Sequence, residues 1–159
     1  MQHVIEHEHL GLGFLAARHA VTDGIGRVMG RGYLHAAMAV CALTASADGS
    51  VGFEERYAID AAMVRDPMLK RYTERQLVAV LDGQLDRLRR DPEGARDDLL
   101  HLVARAGRRP EHAVTLCRLA WDIITADDRV RRAELTEFET ICELLEIDVE
   151  SVRGAMLGV

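Results

Sequence analysis

Two short stretches place carboxylates around a bend. "SADGSVGFEE" at 46–55 carries Asp48, Glu54 and Glu55, and "TADDRVRRAE" at 125–134 carries Asp127, Asp128 and Glu134. Each follows a long apolar run and precedes an amphipathic one, so each reads as helix, bend, helix. In that setting Glu55 and Glu134 fall in the first turn of the second helix, where a carboxylate meets the positive end of the macrodipole and can reach back to free amides. Asp48 and Asp127 are different, because a carboxylate at the C-terminal end of a helix faces the negative pole at a cost of about 0.3–1 kcal/mol. Repeating that cost in both stretches calls for a compensating cation or a backbone contact. Gly49 suits the left-handed residue that closes a helix, and Asp128, at the matching place, belongs to one of the few residue types that tolerate it. Val51 and Val130 are expected to tuck each bend onto the core.

Other patterns carry less chemistry. "HVIEH" at 3–7 has the H-x-x-E-H spacing of inverted zinc peptidases, but a catalytic zinc needs a third ligand on a rigid element and nothing precedes His3 here to supply a scaffold. "GIGRVMGRG" at 24–32 misses G-x-G-x-x-G by one residue and follows no strand, so it reads as a glycine-rich helix or linker. His35, His101 and His112 stand singly, and Trp121 lies on an apolar helix, where packing is its ordinary role. No nucleophile with a partner base is suggested anywhere, and the reading is that of a protein that is not an enzyme.

The elements that must position these acids are helical. The 159 residues are 48% hydrophobic but only 4% aromatic, with three prolines, a balance that favours helix over strand and suits one domain. "LHAAMAVCALTASA" at 34–47 is apolar nearly all round, which predicts a helix buried on most faces. "AVTLCRLAWDIITA" at 113–126 confines Thr115, Arg118, Asp122 and Thr125 to one stripe, and predicts a second central helix. Leu77, Leu81, Leu85 and Leu88 line one face of an outer helix, and "ARDDLLHLVARA" forms another after Pro92 and Gly94. Leu135, Phe138, Ile141, Cys142 and Leu145 recur at helical spacing, and Asp148 offers an N-cap to a short last helix. The expected domains are an arm at 1–32, weakly specified, and a helical domain at 33–159.

Sliding the chain on itself by 79 positions aligns Asp48 with Asp127, Val51 with Val130, Glu55 with Glu134 and Ile59 with Phe138. The units, about 34–66 and 113–146, predict an internal duplication with pseudo-two-fold symmetry and the apolar helices as shared core. Cys41, Cys117 and Cys142 lie within apolar helical patterns and read as reduced, packed thiols of a cytoplasmic protein. No stretch is long enough for a membrane span, and the start lacks the pattern of a signal peptide. The net charge of −6 is concentrated in the last third, so nucleic acid is an improbable partner and a cation or a basic protein surface a better one.

"LHAAMAVCALTASADGSVGFEE" together with "RLAWDIITADDRVRRAE" resembles the TerB family of tellurite-resistance proteins, whose helix-bend-helix units carry an alanine-aspartate-glycine bend with a glutamate seven residues after the aspartate. The likeness runs over about residues 14–155. It implies an all-helical bundle of about seven helices, a cytoplasmic stress-response role beside other tellurite-resistance proteins, some at the inner membrane, and binding of divalent metal by the bend acids. Carried over, the metal ligands would be Asp48, Glu55, Asp127 and Glu134, with Glu54 and Asp128 close enough to contribute. Oxygen-only ligands favour Ca²⁺, Mg²⁺ or Mn²⁺ over zinc. The chain departs from the family pattern at Asp128, which replaces a glycine, and at Gly52 and Arg131, cap positions where a side-chain oxygen is commoner. The arginines of "DDRVRR" can neutralise their own carboxylates. Without metal, the same residues imply a protein-interaction domain; a metal-dependent hydrolase is a third reading that lacks a nucleophile.

Overall fold

A computed structural model describes residues 31–49 and 51–157, without the side chains of Glu54, Glu55, Met156 and Leu157. The "HVIEH" motif, most of "GIGRVMGRG" and nearly all of the expected arm lie outside the described residues. The chain divides into a unit that ends at Arg31 and one that begins at Gly32, and the second holds everything that follows.

Seven α-helices and one short 3₁₀ turn make up the described residues, with no strand among them. We number them α1 (31–45), α2 (Phe53–Arg65), α3 (Glu74–Arg90), α4 (Pro92–Ala106), α5 (Pro110–Ile124), α6 (Arg132–Leu144) and α7 (Val149–Leu157); the 3₁₀ turn is Leu69–Arg71. The boundaries follow local chemistry. Thr73 and Gln76 exchange hydrogen bonds with each other's backbone amides in a capping box at the start of α3. Asp91 accepts from the Gly94 amide, and Pro92 takes the first position of α4, where its missing N–H costs nothing. Asp148 accepts from the Ser151 amide at 3.0 Å, as expected of an N-cap for α7.

The core sits around α1 and α5. Every residue of α1 from Ala36 to Ala45 is buried, Thr44 included, whose hydroxyl donates to the Val40 carbonyl at 2.7 Å. A helix apolar on every side can satisfy itself only by being covered on every side. On α5, Ala113, Leu116, Cys117, Ala120, Ile123 and Ile124 are buried, and this helix packs against α2, α4, α6 and α7. Trp121 stacks at a tilt on Phe138 of α6, ring centres 5.1 Å apart, with the Arg153 guanidinium 5.3 Å over its ring. Polar anchors fix α1 among its neighbours: the Tyr33 hydroxyl donates to Asp66 at 2.5 Å, and Gln84 of α3 donates to the His35 carbonyl at 3.0 Å. Burial, and then Asp66, push the Tyr33 hydroxyl well above the ordinary tyrosine range, so it stays a donor.

The ends of α2 and α6 are offset by 79 residues at both termini, and the last residues of α1 and α5, at 45 and 124, by the same number. One expectation fails at the outer face of α2. Its inner side carries Ala58, Ile59, Ala62 and Met63 into the core, yet Phe53, Tyr57 and Val64 point outwards, so this helix is not polar on its solvent side.

Phe138 is fully buried and serves both as a core filler and as the platform for Trp121. Phe138→Ala is expected to cost about 3–5 kcal/mol of unfolding free energy, read as a lowered urea midpoint with an unchanged slope.

Candidate cation site at the paired bends

Each bend is built by a helix that stops and a residue that turns left. After α1, the Ser46 amide still bonds to the Ala42 carbonyl and the Gly49 amide to that of Ser46, and Gly49 takes φ +92°. After α5, the Asp128 amide bonds to the Thr125 carbonyl, and Asp128 itself takes φ +57°. Glycine meets no Cβ penalty there and aspartate a tolerable one, as read from the residue types. Gly52 and Arg131 then occupy the N-cap positions of α2 and α6, both in extended backbone.

The second bend ties its own acids down. Asp127 accepts from the Arg129 amide at 3.0 Å, a local Asx turn. Glu134, only 1% exposed, reaches back to accept the Arg131 amide at 2.9 Å, as its place in the first turn predicts. The reciprocal half of a capping box cannot form, since a guanidinium has no acceptor.

Arg131 does more than cap. Its Nε lies 3.4 Å from an Asp48 carboxylate oxygen, its Nη2 3.3 Å from Asp127 and its Nη1 3.0 Å from Glu134. Three carboxylates, one from the first bend and two from the second, thus converge on one planar cation. The electrostatic cost at Asp48 and Asp127 has found its compensating charge, and it is a side chain of this same protein. The pairs are shielded unequally: the Glu134 side chain is 2% exposed, those of Asp48 and Asp127 24% and 16%, and that of Arg131 43%. Glu134 therefore carries the largest share, and the two aspartates, partly wet, less.

Of the six acids expected at a metal site, Asp48, Asp127 and Glu134 are brought together, Asp128 is exposed on its turn, and the side chains of Glu54 and Glu55 lie outside the described residues. The oxygens that converge are already engaged: Glu134 accepts from an amide and a guanidinium N–H, and Asp127 likewise. As they stand they fit a fork of N–H donors. Among the described residues no group of three or more His, Cys, Asp or Glu is placed to hold a metal ion.

Val51 and Val130 do not tuck inwards; they are 36% and 43% exposed. The positive φ at Gly49 and Asp128 turns the chain outwards just before them, and the apolar helices behind are already covered. Phe53 and Tyr57, at the start of α2 just after the first bend, are exposed as well. Beside the first bend, a cavity of about 710 Å³ is lined by Ala47, Val51, Leu85 and Leu88, with Arg96 and Glu137 at one side. Arg96 grips Glu137 with Nε and Nη2 at 3.2–3.3 Å, closing α4 onto α6.

Two features had no signal in local sequence. Arg131 reaches a carboxylate 83 positions away, visible only as the residue that stands where the first copy has Gly52. Cys117 and Cys142 also meet in the core: a hydrogen bond between their thiols, reinforced by burial, pushes Cys117 up, and the same bond pulls Cys142 down. Cys41 is raised by burial.

Glu134→Ala removes a buried side chain that accepts the Arg131 amide and one of the three carboxylates on a guanidinium that is itself 43% exposed, so it is expected to cost about 1–3 kcal/mol, whereas Asp48→Ala, at a wetter position, should cost about 1 kcal/mol or less. Urea titration of both variants checks the order. All three thiols are fully buried. Native protein is expected to react slowly with a chromogenic disulfide reagent at pH 8 and to release three equivalents of signal on unfolding, since the exposed thiolate is the nucleophile.

No curated protein and no solved structure matches the chain significantly. The family model for tellurite resistance protein TerB matches residues 34–157, from the first turns of α1 to the end of α7, and so covers both bends and the whole helical core. An all-helical chain whose two apolar helices each end in an acidic, left-turning bend, matched over that length, belongs to the TerB family.

Proposed function

We propose that this protein is a non-catalytic module of the tellurite-resistance type that works by docking a protein partner on the face formed by its two bends. The observation that supports the reading is exposed apolar surface: Phe53 is 82% exposed and Tyr57 69% on the outer face of α2, which follows the first bend, and Val51 and Val130, in the two bends, are exposed too. Large exposed apolar side chains on a helix that starts at a bend whose charges are satisfied are the residue types of an interface centre. Other tellurite-resistance proteins of the cytoplasm, or the cytoplasmic surface of inner-membrane ones, are the partners the family implies. No helix among the described residues is long and apolar enough to cross a membrane. The acidic last third of the chain favours a basic partner surface.

A second reading keeps a divalent ion, Ca²⁺, Mg²⁺ or Mn²⁺, at Asp48, Glu54, Glu55, Asp127, Asp128 and Glu134. It is favoured by the excess of negative charge, since three carboxylates face one guanidinium. Hydrolysis is the weakest reading, because the acids that would hold a catalytic metal are tied to Arg131 and to backbone amides.

The test is association with purified tellurite-resistance proteins, followed by calorimetry with and without chelator. Phe53→Asp with Tyr57→Asp is expected to weaken binding at least about tenfold while leaving the helical circular dichroism unchanged, as for a central interface pair. Chelator is expected to change nothing. Unchanged binding by the double variant would place the docking face elsewhere, and loss of binding on chelation would favour the divalent-ion reading.

A further inference from the structure

We infer that Arg131 is the resident cation of the paired bends: its guanidinium performs the charge compensation that a divalent ion would otherwise supply, so that this protein holds its two bends together without metal. The inference concerns the chain alone and stands or falls independently of any partner.

Three observations carry it. First, the three nitrogens of one guanidinium face three different carboxylates, Nε to Asp48, Nη2 to Asp127 and Nη1 to Glu134, at 3.0–3.4 Å. The Glu134 and Asp127 contacts are hydrogen bonds from the guanidinium, and the Asp48 contact is an ion pair, so each carboxylate has an oxygen turned to this one cation. Second, the carboxylates come from both bends. The arginine therefore joins α1–α2 to α5–α6, which is the mechanical work a bridging ion would do. Third, the two N-cap positions differ: Gly52 offers no side chain, and Arg131 reaches across from the other copy. One tethered cation at the N-cap of α6 serves both halves.

A tethered cation has two consequences for free metal. It occupies the approach to the oxygens, and its charge repels a second cation. An ion can enter only when the guanidinium has swung out, so its apparent affinity is reduced by the fraction of molecules in that open form. Removing the charge should remove that penalty.

The experiment compares wild-type protein with Arg131→Gln, which keeps most of the length and loses the charge. Calorimetric titration with Ca²⁺, Mg²⁺ and Mn²⁺ is expected to give no saturable heat for wild type and a saturable response to at least one ion for R131Q, at least about tenfold tighter than any wild-type response. Adding Asp48→Asn and Asp127→Asn to R131Q should abolish it, which locates the gain at these oxygens. Wild-type protein that binds a divalent ion with an affinity R131Q leaves unchanged would overturn the inference, as would an R131Q protein that folds and gains nothing.

Should R131Q fail to fold, Mn²⁺ titration of wild-type protein decides by magnetic resonance. An Arg131 Nε–H signal that stays sharp while Mn²⁺ is added supports the inference. Selective broadening of that signal together with the Asp48 and Asp127 amides sinks it.

Discussion

Two helices of this bundle are too apolar to face water. Between Ala36 and Ala45 no residue of α1 touches solvent appreciably, and α5 buries most of its length. Neither could exist as an outer helix, because each would leave hundreds of Å² of apolar surface uncovered at about 25 cal/mol per Å². The other five helices are therefore obliged to wrap them, and their amphipathic faces point where the two central helices require. The arrangement also dictates where the chain becomes polar again. A central helix must end before its carbonyl groups are stranded without partners, and each of these ends in a left-turning bend that carries the chain out to solvent.

That exit creates the electrostatic problem that Arg131 solves. The C-terminal ends of α1 and α5 carry the partial negative charge of the helix dipole, and each is followed three residues later by an aspartate. Bringing the two ends close together concentrates like charge. Arg131 stands on the N-terminal side of α6, a poor place for a cation with respect to its own helix, and so gives up some dipole energy to neutralise two others. Glu134 offsets this, since its carboxylate accepts both the backbone amide and the guanidinium of Arg131 and sits at the favourable end of α6. The bend acids are thus partly explained by local structure, Asp127 by its Asx turn and Glu134 by its cap, before any ligand is invoked.

How much of this was legible beforehand depended on range. Helical period placed α1, α3, α4, α5 and α6 within a few residues, because burying one stripe or all stripes leaves a mark in the order of residues. The turn residues Gly49 and Asp128 were readable for the same reason, since left-handed backbone selects few residue types. The 79-residue offset carried over to the element ends. Val51 and Val130 misled, because an apolar residue after a bend reads as an anchor, yet the core behind it was already filled by α1 and α5. The Cys117–Cys142 contact and the Asp48–Arg131 pair were invisible for a different reason: both depend on which faces of which helices meet, which no local pattern encodes.

The inequality of the two caps has its own logic. Were position 52 also an arginine, two guanidinium groups would compete for the same carboxylates and face each other at close range. At about 4 Å and an effective dielectric near 20, that repulsion is about 4 kcal/mol, comparable to what one guanidinium gains from several partly wet partners. A glycine at 52 avoids the conflict and leaves the space between the bends to a single side chain. The acids stand in both bends, Asp48 in the first and Asp127 and Glu134 by the second, and a single guanidinium serves all three.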